Sequence, residues 1–269
     1  QLYLFNAING KLIRKFKLGR NDIDYVAFSP DSKTMMAKKF RTLQFWDVKT
    51  GKKLKTSENE SYFSAMAYSS DLKTLITGNH RDIFRLWDID TGKILKSFDG
   101  HHTDLTCISF SPDNKTFITG RERGRLTLWD IQSAREIKTY SGHKKKITKI
   151  IFSSDAKTFA SASADNTIKL WDIKTGKELR TFQGHKRDVN TIVFSPDNKM
   201  LVSAGKDYTI RFWDTKTGKM NRVIQSQDSI DSFQTLTFHP NGKYFISISR
   251  GLMKLYDSQT VKLMRVNRL

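Results

Sequence analysis

The sequence has a single cysteine, four prolines and no long apolar run among its 269 residues. Cys107 therefore has no partner for a disulfide or a thiolate metal site, and its apolar run LTCISF predicts a small buried side chain. Low cysteine content is typical of a reducing compartment, and we expect a cytoplasmic protein. Because no stretch reaches the roughly 18 apolar residues of a membrane helix and no signal pattern opens the chain, we expect a soluble protein without a membrane span.

Residues of catalytic or metal-binding type are not clustered either. The six histidines are spread over separate segments, and no cysteine cluster accompanies them. The glycines lie in turn-like segments, and none forms a phosphate-binding loop. We therefore predict no catalytic residues, no cofactor and no metal, and a protein that is not an enzyme. Because the chain begins at Gln1 rather than Met, we expect it to be part of a longer protein, in which a fused domain could be catalytic.

Acidic residues are few relative to basic ones. The 27 Asp and Glu residues stand against 47 Lys and Arg, which gives a formal net charge of +20. A balance of this size attracts anionic partners, including nucleic acid and membrane surfaces. Its functional meaning depends on where the basic residues lie.

A repeat with a period of 41 to 43 residues organises the whole chain. In each unit, a strand-like run ends in an aromatic residue followed by an acid or an amide. These pairs are Phe5-Asn6, Trp46-Asp47, Trp87-Asp88, Trp129-Asp130, Trp171-Asp172, Trp213-Asp214 and Tyr256-Asp257. Each unit also holds four runs rich in β-branched and aromatic residues, such as DVNTIVF, MLVSAG, TIRFW and MNRVI, separated by turn segments such as SPD and KTGK. The pattern predicts a four-stranded antiparallel meander in each unit.

Three units also carry a Gly-His pair, followed by an acid or a base in a turn and then by Trp-Asp. With these motifs the whole chain resembles the tryptophan-aspartate (WD) repeat β-propeller family, which implies an all-β ring of blades. We expect one propeller domain over 1–269, with a partial blade at about 2–16 and complete blades at about 23–56, 62–98, 104–140, 146–182, 188–224 and 233–266. We expect a seven-bladed ring whose two missing strands lie outside this sequence, because the family commonly closes its ring by pairing strands from both chain ends. A six-bladed ring with an added hairpin is the alternative.

The resemblance also implies a buried hydrogen-bond network in each regular blade. It joins the His of the Gly-His pair, a Ser or Thr of the second strand, an Asp of the next turn and the Trp. Two units hold the full set, which is His143, Ser161, Asp165 and Trp171 in one and His185, Ser203, Asp207 and Trp213 in the next. Ser, His and Asp also form nucleophilic triads. Because the set recurs in adjacent units, we interpret it as structural, with each residue satisfying a buried partner.

Many basic residues repeat with the blades. The positions six and nine residues after the aromatic are basic in all seven units, and six units have a lysine in the first turn. The nine-residue positions, here called the strand-four basic series, are Arg14, Lys55, Lys96, Lys138, Arg180, Arg222 and Arg265. On an outermost strand, such residues are expected to protect the sheet edge from aggregation. Charge spread evenly in this way argues against a nucleic-acid reader, which concentrates charge on one face.

Other basic residues are confined to one sector. In a meander, the loops between blades and the turns between second and third strands share one rim. Arg123 stands where regular units have an Asp, although its unit retains His101. The candidate partner-binding residues on this rim are Arg121, Arg123, Arg125, Lys144, Lys145, Lys146, Lys186 and Arg187. Acidic segments at 57–61 and 227–231 would make the rim bipolar.

The sequence therefore predicts a non-catalytic interaction module or scaffold. Its rim loops would contact a partner protein, one with an acidic surface, or another domain of the same chain. The alternative is binding of nucleic acid or another polyanion through the basic sector. The sequence lacks a recognition helix, an RNP-type aromatic motif and an Arg/Gly-rich tail, which makes nucleic acid the less favoured partner.

Overall fold

A computed structural model describes residues 2–5, 11–17, 25–28, 32–39, 42–58, 64–79, 83–89, 93–100, 104–226, 233, 235–249 and 252–268. These residues form β-strands, turns and loops, and no helix occurs among them. Within the same ranges, accordingly, no helix is long and apolar enough to cross a membrane.

The strands form one two-stranded sheet and six four-stranded sheets. The two-stranded sheet, called the partial blade, consists of β1 (Leu2–Phe5) and β2 (Leu12–Phe16). Blade one consists of β3 (Tyr25–Phe28), β4 (Thr34–Lys39), β5 (Thr42–Asp47) and β6 (Lys53–Glu58). Blade two consists of β7 (Ala65–Tyr68), β8 (Thr74–Gly78), β9 (Ile83–Asp88) and β10 (Ile94–Asp99). Blade three consists of β11 (Leu105–Phe110), β12 (Thr116–Arg121), β13 (Leu126–Asp130) and β14 (Glu136–Tyr140). Blade four consists of β15 (Ile147–Phe152), β16 (Thr158–Ser163), β17 (Thr167–Asp172) and β18 (Glu178–Gln183). Blade five consists of β19 (Val189–Phe194), β20 (Met200–Gly205), β21 (Thr209–Asp214) and β22 (Met220–Gln225). Blade six consists of β23 (Thr235–Phe238), β24 (Tyr244–Ser249), β25 (Leu252–Asp257) and β26 (Leu263–Arg268).

Each blade is an antiparallel meander whose strands pair in chain order. Short polar turns close the reversals. In blade four, the Ser153 hydroxyl donates to the Asp155 carboxylate at 2.6 Å, and the same carboxylate accepts the Lys157 amide at 3.1 Å. A serine followed two residues later by an acid can therefore close a tight reversal without help from the rest of the chain.

The apolar core lies mainly at the joints between blades. At the joint of blades three and four, Tyr140 of the outermost strand packs edge-on against Phe159 with a centroid distance of 4.9 Å, and Trp171 lies 5.7 Å away. Phe182 occupies the corresponding position at the next joint and contacts Trp213. Burial of one such side chain contributes about 1.5–3 kcal/mol. The aromatic residues of the repeat thus hold neighbouring blades together.

The strand-four basic series also connects blades, which corrects the interpretation of these residues as edge protection alone. Arg180 of blade four donates through Nη2 to the Lys216 carbonyl in blade five at 2.9 Å. The equivalent bonds run from Arg14 to the Thr50 carbonyl, from Lys96 to the Ile131 carbonyl, from Lys138 to the Lys174 carbonyl and from Arg222 to the Gln259 carbonyl. The Lys55 side chain lies outside the described residues. These cations therefore act at the joints.

The all-β propeller predicted from the sequence is confirmed, with six four-stranded blades and two further N-terminal strands. The partial blade packs against blade one, where Phe16 meets Trp46 edge-on at 6.0 Å. The completion of the partial blade by two further strands and the extent of the domain both remain predictions.

Candidate functional site

The four network residues of blade four are joined by hydrogen bonds: His143 precedes β15, Ser161 lies on β16, Asp165 lies in the turn that follows, and Trp171 lies on β17. The Nδ1 atom of His143 is 2.9 Å from an Asp165 carboxylate oxygen, and its Nε2 atom is 2.8 Å from the Ser161 hydroxyl. Trp171 donates its indole N–H to the same hydroxyl at 2.9 Å. A neutral ring with its proton on Nδ1 fits this arrangement, because it donates to the carboxylate and accepts the serine proton.

The Asp165 carboxylate accepts hydrogen bonds from other groups besides His143. Its Oδ2 atom also accepts the Lys144 backbone N–H at 2.9 Å, and its Oδ1 atom accepts the Thr167 amide at 3.0 Å and the Thr167 hydroxyl at 2.6 Å. Burial acts to raise the pKa of this carboxyl, but the hydrogen bonds from His143 and Thr167 outweigh it and hold the pKa well below its usual value. Asp165 is therefore ionised at neutral pH and joins the interior of the blade to the loop at 144–146.

Blade five repeats this network. His185 contacts Asp207 at 3.0 Å and Ser203 at 2.7 Å, and Trp213 donates to Ser203 at 2.8 Å. The Asp207 carboxylate accepts the Lys186 backbone N–H at 2.9 Å. Burial raises the pKa of Asp207, but hydrogen bonds from His185 and the Lys186 amide outweigh it and keep the pKa well below its usual value. Both regular blades thus fix the amide that follows the Gly-His pair.

The network has the residue types of a hydrolytic triad without the access that a substrate needs. Ser161 is fully buried at 0 % exposure, and its oxygen already accepts the Trp171 N–H. Ser203 is buried to the same degree. Among the described residues, no group of three or more His, Cys, Asp and Glu side chains could hold a metal ion. The geometry suits the support of a loop.

Backbone hydrogen bonds bring the loops between blades and the second turns of blades three to five to one rim. The Glu122 amide donates to the Asp104 carbonyl at 3.0 Å, and the Ala164 amide donates to the Lys146 carbonyl at 2.9 Å. The turn of blade three also touches the loop of blade four. Gly124 has a φ of +78°, and a Cβ atom on it would lie 2.4 Å from the His143 carbonyl oxygen. Segments 120–125 and 141–146 are therefore neighbours.

Five of the eight candidate partner-binding residues have exposed side chains and take no part in an ion pair with any described residue. They are Arg123, Lys144, Lys145, Lys186 and Arg187, here called the basic rim patch. Arg121 is only 3 % exposed, because it ends β12 with its side chain facing inward. Arg125 is partly buried, and Lys146 forms an ion pair with Glu122 at 2.8 Å. Sequence reasoning did not separate these three residues from the exposed ones.

Three features of the predicted rim lie outside the described residues. They are His101 of blade three and the acidic segments at 59–61 and 227–231. The contrast between His101 and Arg123, and the bipolar character of the rim, therefore stay predictions.

The fold, the Trp-Asp pairs and the recurring His-Ser-Asp-Trp network define a WD-repeat β-propeller. The family model described as "Nucleolar protein 10-like, N-terminal domain" matches residues 1–256, and the chain belongs to this family. A curated relative is Autophagy-related protein 16 from Arabidopsis thaliana, which is 30% identical over 112 residues. That similarity covers 40% of this chain and 22% of the relative, so the chain corresponds to less than a quarter of that protein.

Proposed function

We propose that this propeller is a non-catalytic interaction module whose basic rim patch binds an acidic surface of another protein or domain. The observation that supports the proposal is that each network carboxylate accepts hydrogen bonds both from the interior of its blade and from a rim loop. Asp165 and Asp207 each bind a buried histidine and the backbone amide of an exposed lysine, Lys144 or Lys186. The two loops that carry the patch residues of blades four and five are therefore held in place before any partner arrives, and Arg123 lies on the neighbouring turn of blade three.

Such a patch has physical advantages for protein recognition. A preorganised loop loses little conformational entropy when it binds, and a local excess of positive charge accelerates encounter with an acidic partner. Five of the seven residues in the strand-four basic series donate to carbonyl groups of neighbouring blades and contribute less to binding. The exposed lysines of the first turns repeat around the ring at the opposite rim. The basic rim patch, by contrast, is confined to blades three to five, which favours a specific contact over a nonspecific polyanion coat.

The cellular compartment is a separate question. The family description names a nucleolar protein, whereas the low cysteine content led us to expect the cytoplasm. Both compartments are reducing, so the single cysteine is compatible with either. Imaging of the tagged chain would decide between them, and a nucleolar signal would refute the cytoplasmic prediction.

Charge reversal tests the rim. Arg123, Lys144, Lys145 and Arg187 are all changed to Glu, and the proteins captured by the variant are compared with those captured by the original chain. The matched control reverses four exposed lysines in the first turns, at the opposite rim, with the same change in net charge. These are Lys115, Lys157, Lys199 and Lys243.

The expected result is a set of proteins captured by the original chain and by the control but lost with the rim variant. Capture that is unchanged by the rim substitutions would refute the proposal. Nuclease treatment and a salt titration distinguish binding of a protein from the alternative, binding of nucleic acid or another polyanion. Binding to nucleic acid would weaken by about 0.9 log units per phosphate contact for each tenfold rise in salt, and nuclease would abolish it.

A further inference from the structure

The joint between blades five and six lacks an aromatic ring that fills four other joints. The position eleven residues after the strand-three aromatic holds Phe16, Phe98, Tyr140 and Phe182 in the partial blade and in blades two to four. All four rings are at most 2 % exposed. The same position holds Ser57 in blade one, whose side chain lies outside the described residues, and Ile224 in blade five, which is only partly buried.

The four rings meet the next blade in a similar way. Phe182 lies 5.7 Å from Trp213 with an interplanar angle of 62°, and Phe98 lies 5.2 Å from Phe117 with an angle of 86°. The edge of each ring thus faces an aromatic side chain of the following blade, which is a favourable aromatic geometry. At the joint of blades five and six, Phe212 of blade five meets Phe245 edge-on at 5.4 Å, and the strand-three aromatic Tyr256 stacks on Phe245 within blade six at 4.8 Å. No ring from β22 (Met220–Gln225) faces Tyr256.

A cavity of about 260 Å³, open on one side, borders Ile224 and the strand-three aromatic Tyr256, and we call it the joint pocket. Its wall is formed by Ile224, Phe233, Tyr256, Val261 and Leu263 together with the polar residues Gln225, Ser226 and Lys254. A closed apolar cavity of about 150 Å³ binds benzene, so the volume of this partly polar pocket is large enough for an aromatic side chain. The pocket also lies between the outermost strands β22 and β26, where a partner can approach from the circumference of the propeller.

One polar group in the wall is unsatisfied. The Ser226 hydroxyl oxygen is buried and has no hydrogen-bond partner among the described residues, while the Ser226 amide donates to the Tyr208 carbonyl at 2.9 Å. A buried hydroxyl without a partner is unfavourable. A backbone amide or carbonyl beside an incoming aromatic ring would satisfy it.

The surface around the pocket is apolar and basic. Strands β22 and β26 carry five exposed large apolar side chains, which are Met220, Val223, Leu263, Met264 and Val266. The equivalent strands of blades three and four expose one each, Ile137 and Leu179, and those of the partial blade and of blade two expose two each. With three, β26 exposes the most. Lys254 is itself part of the pocket wall, and Lys262, which follows the wall residue Val261 in the chain, is exposed. A complementary ligand therefore combines apolar groups with negative charge.

We propose that the joint pocket binds an aromatic side chain of a partner polypeptide, flanked in that partner by acidic residues. The chain itself supplies the precedent, because four of its own aromatic rings occupy the equivalent space at other joints. This site lies on the circumference between blades five and six and does not depend on the basic rim patch.

The probe is a capped pentapeptide of sequence Asp-Glu-Phe-Asp-Glu, with a matched peptide that has alanine in place of the phenylalanine. Binding is followed by the NMR shifts of the Ile224, Val261 and Leu263 methyl groups. The phenylalanine peptide is expected to shift these signals saturably, and the alanine peptide is expected to leave them unchanged. Equal shifts with both peptides, or no shift with either, would overturn the proposal.

Ile224→Phe fills the pocket with the ring that other joints contain, and Leu179→Phe is the matched control that places the same ring on the exposed face of β18 in blade four. Ile224→Phe should weaken peptide binding at least about tenfold, the size expected for loss of a buried aromatic anchor, whereas Leu179→Phe should leave it within about twofold of the original value. Ile224→Phe should also raise Tm by about 2–4 °C. A fall in Tm would show that an aromatic ring does not fit the pocket, and undiminished peptide binding would place the ligand elsewhere.

Discussion

Replacement of Asp165 by alanine tests the network most directly. The side chain accepts four hydrogen bonds, from the His143 ring, the Lys144 amide, and the amide and hydroxyl of Thr167. Alanine removes both acceptor oxygens and all four bonds, and it leaves the buried imidazole N–H without its carboxylate. Thr167 is partly buried and Lys144 is exposed, so water can replace some of the lost bonds. The His143 side chain has no exposed surface and depends on Asp165 most.

The size of the effect follows from these differences. One buried donor left unsatisfied costs about 1–3 kcal/mol, and the donors near solvent add less. We therefore expect Asp165→Ala to lower the free energy of unfolding by about 1–3 kcal/mol. Arg123→Ala, at the equivalent position of blade three, should cost less than about 0.5 kcal/mol because the Arg123 side chain is exposed.

The assay is chemical denaturation of the original chain and both variants at neutral pH, followed by tryptophan fluorescence. The midpoint should shift for Asp165→Ala at an unchanged denaturant slope, and it should stay in place for Arg123→Ala. Equal losses for the two variants would show that the carboxylate does not support the blade. The NMR signals of the loop at 144–146 should also broaden in Asp165→Ala alone, since only that variant releases the Lys144 amide.

Three further predictions concern pH, the joints and the rim turn. The pKa values of the two network aspartates are lower in the folded chain than the usual 3.8, so the stability that these carboxylates provide is complete above about pH 5 and is lost as the pH falls through 3.8 and below. The difference in unfolding free energy between the original chain and Asp165→Ala, measured by denaturation at several pH values, should therefore become smaller on acidification. A difference that does not change with pH would contradict this prediction. Arg180→Met should cost about 0.5–1.5 kcal/mol in the same assay by removing the bond to the Lys216 carbonyl, and Lys177→Met, an exposed control, should leave the midpoint unchanged. Gly124→Ala should cost about 1–3 kcal/mol because its φ is positive and its Cβ would collide with the His143 carbonyl; a midpoint equal to that of the original chain would show that the turn can move away.

The sequence was sufficient to predict the blades and the network because both depend on spacing within one repeat. The Trp-Asp pairs mark the third strand of five blades, and His143, Ser161 and Trp171 come together as soon as β15 to β17 form a meander. The neighbouring position of the turn at 120–125 and the loop at 141–146 also followed from the meander, because alternate turns lie at opposite ends. These features need no knowledge of how one blade packs on the next.

The features that could not be predicted depend on side-chain direction and on contacts between blades. Arg121, Arg123 and Arg125 share one turn, yet the strand end directs Arg121 inward while Arg123 stays exposed. The joint bonds of the strand-four basic series were also missed, because each cation and its acceptor lie about 36 residues apart in different blades. A signal was present in the sequence. The glycine of each KTGK turn, such as Gly176, leaves space that the Lys138 side chain occupies.

The joint bonds change how the net charge of +20 should be interpreted. A repeated basic position looks like a uniform surface charge, but five such side chains donate to carbonyl groups of the next blade, and this fixes the direction in which they point. What distinguishes one sector from another is then the charge that does not repeat. In blades three to five, that charge includes the basic rim patch, and its members in blades four and five lie on loops that Asp165 and Asp207 anchor. Recognition should therefore depend on these few residues far more than on the total charge.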